Sequence, residues 1–348
     1  MLRRVCLALS LVASASAQDI PVEATVHPGA ELVALAQWVT GSYPQPPDSH
    51  YKDDAWAQFG PHRDHPGLTL FDEVSLYPDF TELGFLLDVE AGTVREGGAM
   101  HWFDRYGRDT VQTMLEGVLA FGRDADFAGF RQRYEDARAA WEAEVVRSLR
   151  EGGTLDSLDA FFRYGASRAR PRVVVELEPL NGWGAHAVTL APLLAPFGED
   201  VVLYQVGPAR REAWLPGGDL SFARDDGALA WHEAAHVYLR PGLTALEDEI
   251  EALSGLFDSG DERLQSQNVT TWSYAFEENV VRAVTAALTF RQSGERRYRQ
   301  QVDQDERSGF VFTGRIADLI LDEYADDPVR YPTFDAFLPR ILDALARA

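Results

Sequence analysis

Apolar residues recur every three or four positions along much of the chain, a spacing that places them on one face of an α-helix. In the first half this pattern predicts helices over residues 30–39, 109–121 and 126–150, with another that begins at Thr154. Residues 70–162 as a whole are expected to be mostly helical. The N-terminal part is therefore predicted to be built from helices.

The pattern changes near Pro171. Two runs rich in β-branched residues, 173–177 and 201–206, predict strands, and residues 183–187 between them predict a short third strand after a turn. After Asp226 the helical spacing returns. Further helices are predicted over residues 228–239, 243–257, 271–291 and 308–324, with a last one that begins at Phe334. Arg240-Pro241-Gly242 is expected to end the first of these helices.

The order of the elements indicates the fold class. Helices come first, a small mixed sheet follows, and the remaining helices come last, which is typical of an α+β protein. The length of 348 residues is compatible with one large unit or with two lobes. We expect residues 18–165 to form a mainly helical N-terminal lobe and residues 166–348 to form a lobe that carries the chemistry.

The first 17 residues have the features of a secretory signal peptide. Arg3 and Arg4 precede an apolar stretch, and Ala15-Ser16-Ala17 supplies the small residues of a cleavage site. The protein is therefore predicted to be secreted or periplasmic. Cys6 is the only cysteine and would be removed with this segment. Any metal site of the mature chain must then use histidines and carboxylates.

The chain is strongly acidic, with 55 Asp and Glu residues against 32 Lys and Arg residues and a formal net charge of −23. A charge of this sign repels phosphate backbones, so nucleic acid is not an expected partner. No apolar run after the first twenty residues is long enough to span a bilayer, so no membrane span is expected. No pattern in the sequence indicates an oligomeric state.

The segment His232-Glu233-Ala234-Ala235-His236 has the HExxH spacing of a zinc-binding helix. Because a helix turns about 100° per residue, His232 and His236 can direct two imidazole nitrogens at one Zn²⁺ ion. Glu233, one step round the helix, would reach a metal-bound water, whose pKa the metal lowers to about 7. Its carboxylate could accept the proton of that water during attack on a carbonyl and pass it to the leaving amine.

A third ligand is expected on a later helix, where Glu277 and Glu278 interrupt an otherwise apolar stretch. The two side chains point about 100° apart, so only one of them can face the ion. A generic pair of glutamates would be solvated at the surface, but the apolar neighbours favour burial, and a buried carboxylate needs a metal or a cation. We favour Glu278, because Arg282 one turn further on could hold its carboxylate, and Glu277 is the alternative.

An oxyanion in the transition state needs a hydrogen-bond donor besides the metal. Tyr274, Tyr238, His186 and Arg282 are candidates by position, and Tyr274 and His186 are the two that we predict to contact the substrate or the oxyanion. The short strand around residues 183–187 could also pair with an extended peptide. The alternative for His186 and Trp183 is ordinary packing and turn chemistry.

Two acidic clusters, residues 258–262 and 303–306, do not match the ligand spacing of an EF-hand loop. We interpret both as solvated loops rather than calcium sites. His62, His65 and His101 have no potential ligands at a useful spacing and are interpreted as structural residues.

The HExxH segment with a distant helical glutamate resembles the gluzincin clan of zinc metallopeptidases. Residues 28 to 345 as a whole resemble a family of secreted bacterial proteins that share a domain of unknown function. The features of the second resemblance are Tyr51, Ala55, Phe59, His65 and Pro66, residues 177–182, the HExxH helix that closes on Pro241, and Glu278, Arg282 and Ala283.

The resemblance implies a zincin-like fold, with His232, His236 and Glu278 as zinc ligands and Glu233 as the base. Better-known gluzincins usually have an aspartate four residues after the ligand glutamate, where this chain has Arg282. The aspartate that orients a ligand histidine in those peptidases therefore has no counterpart at this position of the chain. The resemblance implies little about the substrate.

Together these features predict a secreted zinc-dependent hydrolase, a peptidase that acts on peptide or protein substrates. The alternative is a noncatalytic exported protein with a structural or binding metal site. Glu233 distinguishes the two, because a structural site closed by a fourth ligand has no need of a base at this position. A third interpretation is a metal-free helix with a chance motif.

Overall fold

Most of the chain folds into helices, with a small mixed sheet between the two helical parts of the sequence, in agreement with the predicted α+β class. The described residues of the computed structural model are 21–42, 46–74, 81–97, 101–164, 172–182, 185–188, 191–194, 196–197, 201–208, 220–222, 228–267 and 269–347. The predicted signal peptide, residues 1–17, lies outside them.

The first half is mainly helical, as the apolar spacing predicts. Its elements are β1 (Val22–Thr25), α1 (Pro28–Val39), α2 (His50–Phe59), two short 3₁₀ helices (Gly60–His62 and Pro66–Leu68), α3 (Thr69–Val74), a third 3₁₀ helix (Thr81–Leu86), the hairpin β2 (Leu87–Asp88) and β3 (Thr93–Val94), α4 (His101–Tyr106), α5 (Arg108–Asp124), α6 (Phe127–Arg133), α7 (Glu135–Glu151) and α8 (Thr154–Phe162). The single helix predicted over residues 126–150 is wrong, because the helix breaks at Tyr134, whose φ is −102° and ψ is 11°. The apolar spacing continues across this break and conceals it.

The mixed sheet contains β1, β4 (Arg172–Leu177), β5 (Ala185–Val188) and β6 (Val201–Val206), in the order β1-β4-β6-β5. A short helix, α9 (Ala191–Leu194), lies between β5 and β6. β4 pairs in parallel with β1 and β6, whereas β5 pairs antiparallel with β6 at the end of this order. The sheet thus draws strands from both sides of the predicted lobe boundary, and the division into two lobes stays a prediction.

The C-terminal part is again helical. It contains α10 (Ala228–Ala245), α11 (Glu247–Glu251), a 3₁₀ turn (Ser254–Leu256), α12 (Glu262–Gln265), α13 (Trp272–Ser293), α14 (Glu295–Arg307), α15 (Thr313–Leu319), a π-helical turn (Ile320–Tyr324) and α16 (Leu338–Leu345). In the part of the chain described, no helix has both the length and the apolar character needed to cross a bilayer.

The predicted end of the HExxH helix at Arg240-Pro241-Gly242 is wrong, since α10 continues through Pro241 to Ala245. Proline cannot donate to the carbonyl four residues earlier, here that of Val237. Val237 is only partly buried, so water can reach that side of the helix. The helix predicted over 243–257 is accordingly divided among the end of α10, α11 and a 3₁₀ turn.

α10 carries the HExxH segment. It packs against α13, α8, β5 and β6. Trp231 is buried, and its indole N–H donates to the Thr154 carbonyl at 2.7 Å, which fixes α10 to the start of α8. Trp272 at the start of α13 donates to the Ile250 carbonyl of α11 at 2.6 Å, which joins these two helices. The motif helix thus lies between the edge of the sheet and α13.

Glu176 is a buried carboxyl group on β4. Its two oxygens accept from the backbone N–H of His27 at 2.9 and 3.0 Å. Burial, followed by the charge of Glu178, raises the pKa of Glu176 well above its usual value of 4.5, although the His27 N–H acts in the opposite direction. In the pH range between the two values, the folded protein holds a proton that the unfolded chain releases.

We therefore expect the stability of Glu176→Gln, relative to the wild-type protein, to increase as the pH rises above 4.5. The free energy of unfolding of the wild-type protein contains a term that falls by up to about 1.4 kcal/mol per pH unit, and the variant lacks this term. Urea unfolding at a series of pH values measures the difference, with Glu151→Gln, an exposed position of α7, as the matched control. A difference that does not change with pH would contradict the raised pKa.

Candidate metal centre

The two histidines of the motif lie on one face of α10, one turn apart. The centroids of the His232 and His236 rings are 5.1 Å apart. One potential ligand atom from each of His232, Glu233 and His236 lies within 4.8 Å of the others, so this group could hold a metal ion. Burial, followed by the charges of His236 and Arg282, lowers the pKa of His232 well below its usual value. A neutral imidazole is the form that binds a metal.

α13 brings Glu278 to the same point. This helix begins after Thr271, whose hydroxyl oxygen accepts from the Tyr274 backbone N–H at 3.3 Å. One turn further along, the buried Glu278 carboxylate has Oε1 at 3.5 Å from His236 Nε2 and Oε2 at 3.7 Å from His232 Nε2. Ligand atoms about 2.1 Å from a tetrahedral ion lie about 3.4 Å apart. The distances of 3.5 and 3.7 Å are close to this value, although they involve different oxygens of Glu278. They support Glu278 as the third ligand, and that choice stays a prediction.

Glu277 faces the other nitrogen of the same histidine. Its Oε1 lies 2.8 Å from His236 Nδ1. Burial alone would lower the pKa of His236, but this hydrogen bond and the charges of Glu278, Glu277 and Glu233 raise it. A carboxylate on Nδ1 holds the proton on that nitrogen and leaves the lone pair of Nε2 available to a metal. The two adjacent glutamates thus have different positions. Glu278 lies beside the Nε2 atoms of both histidines, whereas Glu277 lies beside Nδ1 of His236.

Arg282 holds Glu278, as the four-residue spacing suggests. Its Nε donates to Glu278 Oε2 at 3.2 Å, and its Nη1 donates to Asp305 Oδ1 at 2.9 Å. The interpretation of residues 303–306 as a solvated loop is wrong, because Asp305 lies on α14 and is buried. Burial raises the pKa of Asp305, while Arg282 acts in the opposite direction. Asp305 is a site residue that sequence analysis missed.

Glu233 lies beside the antiparallel edge of the sheet. The side chain is buried, and the Ala187 backbone N–H on β5 donates to it. Burial raises the pKa of Glu233 to about 7, although His236, His186 and the Ala187 N–H act in the opposite direction. A carboxyl group with this pKa can both accept and return a proton near neutral pH.

The predicted oxyanion donors have different environments. Tyr274 is 40% exposed. Its pKa is raised by burial of the hydroxyl end, by the charges of Glu278, Glu277 and Glu233, and by a hydrogen bond with Glu278. His186 is close enough to Glu233 to affect its pKa. Tyr238 packs in an aromatic cluster with Phe162, at 5.0 Å between ring centroids. Trp183 lies outside the described residues.

Together, the fold and the site define a mostly helical α+β protein with a candidate metal centre of histidines and carboxylates. Residues 201–344 match the model of a family described as a domain of unknown function (DUF4932). The matched segment contains β6, α10, α13 and α14, and it is shorter than the expected range of 28 to 345. No curated protein and no solved structure matches the chain. The resemblance to gluzincin peptidases stays a prediction.

Proposed function

We propose that this protein is a zinc-dependent hydrolase that cleaves peptide bonds, with a zincin-like arrangement of the motif helix and the sheet. The observation that carries the proposal is the position of Glu278. Its carboxylate lies within 3.7 Å of the Nε2 atoms of both motif histidines, while Glu233 is buried beside them. Two imidazoles and one carboxylate are the protein ligands of many catalytic zinc sites, which keep one position open.

Zn²⁺ held by His232, His236 and Glu278 would supply a Lewis acid that polarises the scissile carbonyl and makes water more acidic. The Glu233 carboxylate would take a proton from the attacking water and return it to the leaving nitrogen. The hydrogen bond from the Ala187 N–H limits rotation of this carboxylate and keeps it on the β5 side of the site.

β5 and Tyr274 are proposed to orient the substrate. β5 is the last strand in the order of the sheet, and the Ala187 N–H already contacts Glu233. A peptide laid along such a strand would bring its scissile bond close to that carboxylate. Tyr274 lies on the side of Glu278, and its neutral hydroxyl could donate to the developing oxyanion.

Digestion of a broad peptide library is the direct test. We expect the mature protein to cleave peptides, to lose this activity after treatment with a chelator, and to recover it when Zn²⁺ is added. Mass spectrometry of the products also reports which residues flank the cleaved bond. Bound zinc without cleavage of any peptide would instead support the noncatalytic alternative. Absence of zinc from carefully purified protein would contradict both.

Export is a separate part of the proposal, and it rests on the sequence pattern of residues 1–17. Secretion or transfer to the periplasm would bring the site to extracellular or envelope peptides. The N-terminal residue of the protein recovered outside the cytoplasm tests it. We expect the mature chain to begin near Gln18.

A further inference from the structure

Arg282 connects the candidate ligand Glu278 to the neighbouring helix α14. Its guanidinium donates to Glu278 Oε2 at 3.2 Å through Nε and to Asp305 Oδ1 at 2.9 Å through Nη1. The guanidinium carbon lies 3.8 Å from the centroid of the Phe310 ring. The Phe310 backbone N–H donates to the Asp305 carbonyl at 3.1 Å, so the turn after α14 fixes both neighbours of Arg282. A guanidinium held on three sides has a defined orientation.

This orientation makes the two oxygens of Glu278 inequivalent. Oε2 accepts from Arg282 and lies 3.7 Å from His232 Nε2, whereas Oε1 lies 3.5 Å from His236 Nε2. A carboxylate oxygen that accepts a hydrogen bond from a guanidinium donates less electron density to a metal than an oxygen without such a bond. We propose that Arg282 and Asp305 are positioning residues that make Glu278 a one-oxygen ligand. The inference rests on the proposed zinc site and deepens it.

The charges of Arg282 and Asp305 support their role as positioning residues. A lone guanidinium beside a ligand carboxylate would repel a divalent cation and reduce its affinity. Asp305 neutralises Arg282, so the arginine can orient Glu278 without adding net positive charge to the site. The side chains of Glu278, Asp305 and Arg282 are 7%, 10% and 22% exposed, respectively. Solvent therefore screens their charges only in part.

One-oxygen ligation has a consequence for the open side of the site. A carboxylate that binds through both oxygens occupies two coordination positions, and this would compete with water and substrate. If Arg282 keeps Oε2 from the metal, the three protein ligands would fill three positions and would leave one open. The pair Arg282 and Asp305 would therefore control coordination number as well as affinity.

Cobalt substitution tests this proposal without a substrate. In the double variant Arg282→Met/Asp305→Asn, which removes both charges together, Glu278 is free to bind through both oxygens. We expect the visible absorption of bound Co²⁺ to weaken, as five-coordinate cobalt absorbs less than four-coordinate cobalt. Zinc affinity in competition with a chelator should fall by about 10- to 100-fold. Wild-type absorption and wild-type affinity in this variant would overturn the proposal.

The matched control is Arg299→Met/Asp303→Asn, which makes the same two substitutions on α14 at exposed positions. We expect it to keep both the spectrum and the affinity of the wild-type protein. Thermal unfolding of the metal-free proteins shows whether each variant is folded. If the double variant does not fold, the isosteric Asp305→Asn is used alone. We then expect lower zinc affinity in a variant that is still folded without metal, although its Tm falls because Arg282 loses a charged partner. Unchanged affinity would overturn the proposal.

Failure of this proposal can be distinguished from failure of the proposed function. A wild-type protein that binds no metal refutes both proposals. If the wild-type protein binds Co²⁺ but cleaves no peptide, the hydrolase proposal fails, whereas the spectra still report how Glu278 binds.

Discussion

Replacing Glu233 with glutamine is expected to abolish peptide hydrolysis and to leave the bound metal in place. Glutamine has nearly the same shape as glutamate, and its side-chain oxygen can still accept from the Ala187 N–H that now contacts the carboxylate. It cannot accept a proton from water or return one to the leaving nitrogen. Loss of a general base costs about 10²- to 10⁴-fold in rate. We expect kcat/KM to fall by at least this factor.

Two measurements on the same preparation decide this prediction. Elemental analysis should find as much zinc in Glu233→Gln as in the wild-type protein, and a cleavable peptide from the library measures kcat/KM. Glu247→Gln, at an exposed position just after α10, is the matched control and should keep full activity. If Glu233→Gln hydrolysed the peptide at the wild-type rate, the proposed role of Glu233 would be wrong.

The residues of the site were predictable where a local spacing determines their positions. His232 and His236 share a face of α10 because they are four residues apart, and the structure places their rings 5.1 Å apart. Arg282 follows Glu278 by the same spacing, and the two side chains pair at 3.2 Å. Such spacings hold in any helix, so they need no knowledge of the tertiary fold.

Contacts between distant segments were not predictable in the same way. Asp305 shares a face of α14 with Tyr298 and Val302, and all three are buried. Their spacing of four and three residues is helical, but the many charged residues between them weaken the apolar pattern, and the segment resembles a solvated loop. The sequence also does not identify Arg282 as the partner of Asp305.

The contribution of a backbone group to the site is even harder to predict from the sequence. The Ala187 N–H that donates to Glu233 is a group that every residue except proline has. Its role depends on β5 lying antiparallel to β6 beside α10. β1 was missed for a related reason. It has only four residues, and its partner β4 lies about 150 positions further along the chain.

The two adjacent glutamates of α13 are expected to respond differently to the same substitution. Glu278→Ala removes a carboxylate that lies within 3.7 Å of both Nε2 atoms, so we expect zinc to be lost, as in His236→Ala. Glu277→Ala removes the hydrogen bond to His236 Nδ1 but leaves Glu278 beside both Nε2 atoms. For a group that orients a ligand, affinity falls by about 10- to 100-fold, and zinc should remain bound at micromolar concentrations.

Zinc content and chelator competition measure the difference between the two variants. Each variant is the control for the other, because the same substitution is made at adjacent positions. Only a site that uses Glu278 as ligand and Glu277 as orienting group predicts this asymmetry. Zinc retained in Glu278→Ala but lost in Glu277→Ala would mean that Glu277 is the ligand. Equal retention in both variants would mean that the motif histidines hold the ion without either glutamate. A site closed by Glu233 as its third ligand would lose zinc in Glu233→Ala instead, which separates a catalytic from a structural arrangement.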